Sequence, residues 1–139
     1  MSERSKMLQF PQHGDESGRL VVIEGDQDIP FDIKRIFYIY GSDETVIRGK
    51  HANRKSEFVL INVCGSCKVK TVETNGDTQV FVLDKPHTGI YLPKMVWKDM
   101  YDFSPDSILL CLSSEHYDGA EYIRDFEAFL KELKIENGN

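Results

Sequence analysis

Two stretches of the chain combine residue types and spacing that could do chemistry. Cys64 and Cys67 form a Cys-x-x-Cys, the spacing of a dithiol redox pair or of half a zinc site. The other stretch is RGKHANRKSEFVLINVCG, residues 48–65, where His51 stands among basic and amide neighbours and ahead of Glu57. An imidazole has an ordinary pKa of about 6.5, so it can take up and return a proton near neutrality. The thiol chemistry fails on context. A redox pair opens a helix, whereas the flanks LINVCGSCKVKTV alternate and are rich in β-branched residues, the pattern of two strands around a Gly-Ser turn. No second Cys-x-x-Cys and no His pair completes a zinc set. His13, His87 and His116 have no partner motif and read as loop histidines.

The elements that must hold these residues are short and mostly extended. Alternating apolar runs divided by turn residues predict strands over 19–24, 33–40, 46–52, 58–63, 68–73, 78–83, 90–92, 96–103 and 107–113. Asn75-Gly76 is a hairpin turn between two of them. Only the end changes period: Tyr122, Ile123, Phe126, Phe129, Leu130 and Leu133 recur at helical spacing and predict a helix over 120–133. Asp118 or Gly119 would cap it, and 137–139 would be its frayed end. Many short strands with one terminal helix predict a mainly β jelly-roll sandwich or small barrel. A single domain over 1–139 is expected, since no linker or repeat divides the chain.

Composition excludes several classes. Lys and Arg number 17 against 23 Asp and Glu, a net charge of −6, which argues against a sequence-independent nucleic-acid binder. No apolar run reaches the roughly 18 residues of a membrane-spanning helix. The opening MSERSKML is polar and lacks the apolar segment of a signal peptide, and the three cysteines are an odd number. The expectation is a cytoplasmic protein without disulfides.

Residues 48–65 resemble the first motif of the cupins, small jelly-roll barrels marked by His-x-His, a Glu four residues later, and a Gly after one strand. His51, Glu57 and Gly65 match, while Asn53 takes the second His position. GIYLPKMVWKD, residues 89–99, resembles the second motif, with Lys98 at its His position. A metal-loaded cupin uses three His and one carboxylate. Asn53 is a weak ligand and a Lys98 ammonium repels a divalent cation. The resemblance therefore implies a barrel without metal or cofactor, in which His51 is the base.

Over nearly its whole length the chain resembles the nucleotide-sugar 3,4-ketoisomerases, metal-free cupins of the WxcM-like family. The blocks that carry this are PFDIKRIFYIYG, RGKHANRK, LDKPHTGIYLP, VWKDMYDFS and HYDGAEYIRDFEAF, in that order. The Arg-Gly-x-His segment also resembles that of the dTDP-sugar 3,5-epimerases. Family members carry His-Ala-His where this chain has His-Ala-Asn, which leaves His51 as the implied base.

The resemblance implies a dTDP-linked 4-keto-6-deoxy sugar as substrate and deoxysugar or aminodeoxysugar synthesis, for surface polysaccharide, as the setting. His51 would carry the proton from C3 to C4 through an enediolate. Lys98 and Tyr38 would stabilise or protonate its oxygens. Arg19 and Arg48 would bind the diphosphate, and Asn53, Glu57 and Asp102 would complete the substrate site. Strand alternation places Asn53 with His51, places Met100 and Asp102 with Lys98, and gives Ile36, Tyr38 and Tyr40 one face. Lys98 and Asp102 are expected to pair. Trp97 and Tyr101 fall on the opposite face, as core or interface. A homodimer is expected, because β-edges need covering. Two other readings share this fold. A 3,5-epimerase would need bases on both faces of the sugar, and a non-catalytic nucleotide-sugar-binding cupin would need no base at all.

Overall fold

The structure is a computed structural model and describes residues 3–136; the expected frayed end, 137–139, lies outside them. The strands run β1 (Lys6–Gln9), β2 (Gln12–Asp15), β3 (Gly18–Val21), β4 (Arg35–Tyr40), β5 (Arg48–Asn53) and β6 (Phe58–Cys64). They continue with β7 (Cys67–Val72), β8 (Thr78–Leu83), β9 (Thr88–Leu92), β10 (Trp97–Tyr101), β11 (Ile108–Ser113) and β12 (Tyr122–Ile123) before helix α1 (Phe126–Glu136). Two five-stranded antiparallel sheets, ordered β1-β9-β6-β11-β4 and β12-β5-β10-β7-β8, form the jelly-roll sandwich of a cupin-type fold. The mainly β class with one C-terminal helix matches the expectation. No helix among the described residues is long and apolar enough to cross a membrane.

Side-chain periodicity explains the layers. Phe58 and Leu60 on β6 turn toward β7, β9 and β10, while Val59 and Ile61 pack on Phe10, Ile29 and Phe31 of the N-terminal arm. With both faces covered, β6 opens on an unbroken apolar run, Phe58 to Ile61. The outer face of the second sheet is covered by α1, where Phe129 and Leu133 pack against Ala52 and Trp97. Trp97 stacks edge-on to Phe126, so its place is the core.

The chain's end departs from the helical expectation. Tyr122 and Ile123 pair with Asn53 and Ala52 as an edge strand, and α1 starts only at Phe126. The cap is Asp125, whose Oδ2 accepts from the Ala128 amide at 3.1 Å. Asp118 instead caps the single 3-10 turn at Gly119–Glu121. An aromatic and a β-branched residue facing the open edge of β5 gain more from pairing there than from one more helical turn. The strand expected over 19–24 is shorter, and β2 and β3 form a separate hairpin. β1 and β2, KMLQ and QHGD, carry too little apolar alternation to be seen in the sequence.

Candidate active site

The two sheets part at one end to leave a cavity of about 320 Å³, within the ~300–1,000 Å³ usual for small-molecule sites. β5 and β10 build one wall. His51 and Lys98 are direct cross-strand partners, so their side chains share the inward face. Arg48 also borders the cavity, although strict alternation would send it outward. The register slips between Lys98 and Asp99, with Gly49 and Lys50 at φ of +83° and +56°. This bulge resets the alternation and brings Arg48 and His51 to one side. Gly49 is required there, because a Cβ would lie 2.8 Å from the Lys98 carbonyl oxygen.

The imidazole is set in one tautomer. His51 Nδ1 lies 2.9 Å from the Gly49 carbonyl, so it donates there and leaves Nε2 with a free lone pair. Burial, and then the positive charge of Lys98, lower its pKa to about 4 against the opposing pull of the Gly49 carbonyl. Its ring packs on Tyr122 at 4.8 Å between centroids. The group is a neutral base across the physiological range.

Lys98 is 3% exposed and makes no ion pair among the described residues. Its Nζ donates to Asn53 Oδ1 at 3.0 Å and sits 4.6 Å above the centre of the Phe58 ring. Burial lowers its pKa to about 7, with the Glu121 carboxylate pulling the other way. An ammonium that titrates near neutrality beside a neutral imidazole can hold a developing oxyanion or pass a proton.

The mouth is cationic and aromatic. Arg35 extends from the inward face of β4, stacks on Phe37 and Tyr117, and donates to the Tyr122 hydroxyl at 3.3 Å. The Arg124 guanidinium lies 4.6 Å over the Tyr122 ring. Arg35, Arg48, Lys98 and Arg124 line the space, and no carboxylate joins them among the described residues. Such a lining suits a small anion carrying more than one charge.

The structure separates the sequence's candidates. His51, Lys98, Asn53 and Arg48 come together. Tyr38 does not: Arg35, Phe37 and Ile39 are the inward residues of β4, and Tyr38 lies on the outer face, 63% exposed and stacked on Tyr40. It cannot reach an enediolate in this cavity. Asp102 turns away at φ +53° and pairs with Lys68 at 3.1 Å, not with Lys98. Glu57 accepts the Tyr91 hydroxyl at 2.5 Å on the other side of the sheet and is outside the cavity lining. Arg19 stands on the exposed β2–β3 hairpin, also outside the lining. Burial pushes the Cys67 thiol up to about 12, which makes it inert as a nucleophile.

Arg35, Tyr117, Tyr122 and Arg124 were not singled out from sequence. Arg35 alternates with Phe37 and Ile39, which was the available signal. Tyr122 opens the helical spacing that runs to Leu133, and that spacing hides both it and Arg124 as cavity residues.

Comparison with known proteins points to the same chemistry. The family model described as FdtA: WxcM-like, C-terminal, matches residues 3–134. The chain is 39% identical over 127 residues, 91% of each protein, to the TDP-4-oxo-6-deoxy-alpha-D-glucose-3,4-oxoisomerase of Aneurinibacillus thermoaerophilus. It superposes at a TM-score of 0.92, with 35% identity and 100% of both chains covered, on the H51N mutant of the 3,4-ketoisomerase QdtA from Thermoanaerobacterium thermosaccharolyticum, solved in complex with TDP-4-keto-6-deoxyglucose. It superposes at 0.87, with 39% identity and 97% of both chains covered, on the TDP-fucose-3,4-ketoisomerase WlaRA of Campylobacter jejuni.

Proposed function

The chain belongs to the FdtA, WxcM-like family, and from that membership and the cavity's geometry we propose that it is a 3,4-ketoisomerase of TDP-4-oxo-6-deoxyglucose. The observation that carries the mechanism is the His51–Lys98 pair, a neutral base and an ammonium that titrates near neutrality, opposite each other on one cavity wall. His51 Nε2 takes the proton from C3 of the sugar. The electrons move toward the C4 carbonyl, and the Lys98 ammonium stabilises the enediolate oxygen that results. The imidazolium formed beside Lys98 is a strong acid, and it delivers a proton to C4; Lys98 gives a proton to the C4 oxygen and takes back the C3 hydroxyl proton as the C3 oxygen becomes the ketone. Arg48, Arg35 and Arg124 line the cavity and would bind the diphosphate. Among the described residues one imidazole lines the cavity, which favours this reading over a 3,5-epimerase with bases on both faces.

The experiment is conversion of TDP-4-oxo-6-deoxyglucose in D₂O followed by NMR. The expected product is a 3-keto sugar with deuterium at C4. Unchanged substrate, or label at C3 and C5, would overturn the assignment. His51→Asn is expected to lower kcat by about 10²–10⁴ with the melting temperature kept.

The setting we propose is deoxysugar or aminodeoxysugar synthesis for surface polysaccharide, in the cytoplasm, with the enzyme as a homodimer. For the dimer, Ile36, Tyr38 and Tyr40 are each more than 60% exposed on the outer face of β4, an edge strand, and form a continuous apolar strip. A second copy is the cover for that strip. The mass in solution should halve in Tyr38→Lys, and a monomeric wild type would remove the proposal.

A further inference from the structure

Glu121 is a buried carboxylate that the reaction above does not use. It ends the 3-10 turn before β12, yet its bonds go to the turn between β5 and β6. It accepts the amides of Lys55 at 2.9 Å and Ser56 at 2.8 Å, and the Ser56 hydroxyl. Burial alone would raise its pKa. The Ser56 hydroxyl, the Ser56 and Lys55 amides and the Asn53 side chain outweigh burial and hold it below the usual carboxylate range. The carboxylate is ionised and fixed in place.

Asn53 lies between this anion and Lys98. It is 1% exposed, and its Oδ1 is committed to the Lys98 ammonium. With the amide oxygen on that side, Nδ2 must face the other way. Nδ2 is buried and has no hydrogen bond of good geometry among the described residues, but it lies close enough to Glu121 to act on its charge. A buried amide N–H without an acceptor is costly, so a carboxylate nearby biases Asn53 against flipping. The order is carboxylate, amide, ammonium.

We propose that Glu121 is a positioning residue of this site, acting through the Asn53 amide to hold the Lys98 ammonium where the enediolate oxygen forms. The inference rests on the role given to Lys98 above. Its logic is electrostatic. The charged and titratable groups around Lys98 are His51 and Arg48 on β5, Arg35 on β4, Cys111 on β11, and Glu121 and Arg124 before α1. Burial pushes Cys111 up to about 12, so Glu121 is the one anion of the set near neutrality. A carboxylate in direct contact would lock the ammonium in an ion pair. An amide between them passes on part of the compensation and leaves the other two N–H bonds of Lys98 for substrate. Asn53, at the position of an absent imidazole, is the part that makes this arrangement possible.

The test is the titration of Lys98, read by NMR of lysine side chains with Lys98→Met for assignment, in wild type, Glu121→Gln and Glu121→Asp. Removing the anion should move the Lys98 titration to lower pH in Glu121→Gln. Its kcat should fall about tenfold with KM within twofold, well short of the ~10²–10³ expected when an oxyanion donor is lost outright. Glu121→Asp, which keeps the charge but draws it back on a shorter arm, should move the Lys98 titration in the same direction by a clearly smaller amount. An unmoved Lys98 titration in Glu121→Gln overturns the inference. If Glu121→Gln does not fold, Asp decides: a partial shift supports the inference and an unmoved Lys98 ends it. Wild-type turnover by Lys98→Met is a different failure, because it removes the role of Lys98 itself.

Discussion

His51 and Lys98 stand directly across from each other on β5 and β10, and the Lys98 charge adds to burial in lowering the imidazole's affinity for a proton. In a buried cavity two positive charges at that separation are costly, so the pair rests with the imidazole neutral and the charge on the amine. A base that is deprotonated before substrate arrives, beside a cation that welcomes an oxyanion, is the arrangement proton transfer next to a ketone needs.

The pH dependence of kcat/KM reports those two groups in the free enzyme. His51 must be neutral, so activity falls as the pH drops through about 4. Lys98 must be protonated, so activity also falls as the pH rises through about 7. A diphosphate entering the cationic cavity favours both protonated forms, so the limbs of kcat should lie above those of kcat/KM. Matching limbs for both parameters would argue against charge coupling between substrate and pair.

Lys98 should stabilise function at the expense of the fold. Its folded pKa of about 7 lies below the ordinary 10.5. The unfolded chain therefore binds the extra proton between those values, and stability rises with pH across that window. Below pH 7 the burial cost is present in full. Lys98→Met should lose about 10²–10³ in kcat, and its urea-derived stability should show no such rise from pH 7 to 10. A wild-type slope in the variant would assign the rise to another group.

Arg35, Arg48 and Arg124 should act on binding more than on chemistry. Replacing each by Ala is expected to weaken TDP binding about tenfold or more, the cost of a charged hydrogen bond of ~1.5–3 kcal/mol. Calorimetry with TDP at rising salt should show a shallower dependence in each variant. Tyr38→Phe, on the outer face, is the control and should bind as wild type.

Gly49 tests the bulge. At φ +83°, with a Cβ 2.8 Å from the Lys98 carbonyl oxygen, alanine is strained and has no room. Gly49→Ala should cost at least about 1–3 kcal/mol of stability. It should also raise KM and lower kcat together, because Arg48 and His51 share the bulge. Normal kinetics would mean that the register slip is not what places them.

The Glu57–Tyr91 contact shows what motif matching leaves open. Glu57 falls at an acidic position of a recognised pattern, yet its carboxylate meets a buried phenol on the far side of the sheet. At this position the carboxylate holds a core phenol and not a group in the cavity. Burial and this carboxylate together raise the Tyr91 hydroxyl's pKa, which keeps it a neutral donor.

Sequence by itself determined what short-range chemistry controls. Runs of β-branched and aromatic residues marked β4 to β11, alternating where a strand is half-buried in the sandwich and continuous in β6, where both faces are covered. It marked His51, Asn53, Lys98 and Arg48, whose identity and spacing within two motifs survive any detail of packing. Tertiary structure decided which face is inside. In β4, Ile36, Tyr38 and Tyr40 are as apolar as Phe37 and Ile39, so periodicity has no sign there, and only the opposing sheet chooses Arg35 over Tyr38. It decided that Arg48 joins His51, because a one-residue bulge inverts alternation and leaves only a glycine as its trace. It decided that Tyr122 and Arg124 reach the cavity, because the open edge of β5 outcompetes a helical turn of the same residues. Each of these turns on a neighbour distant in the chain, and no local pattern carries that information.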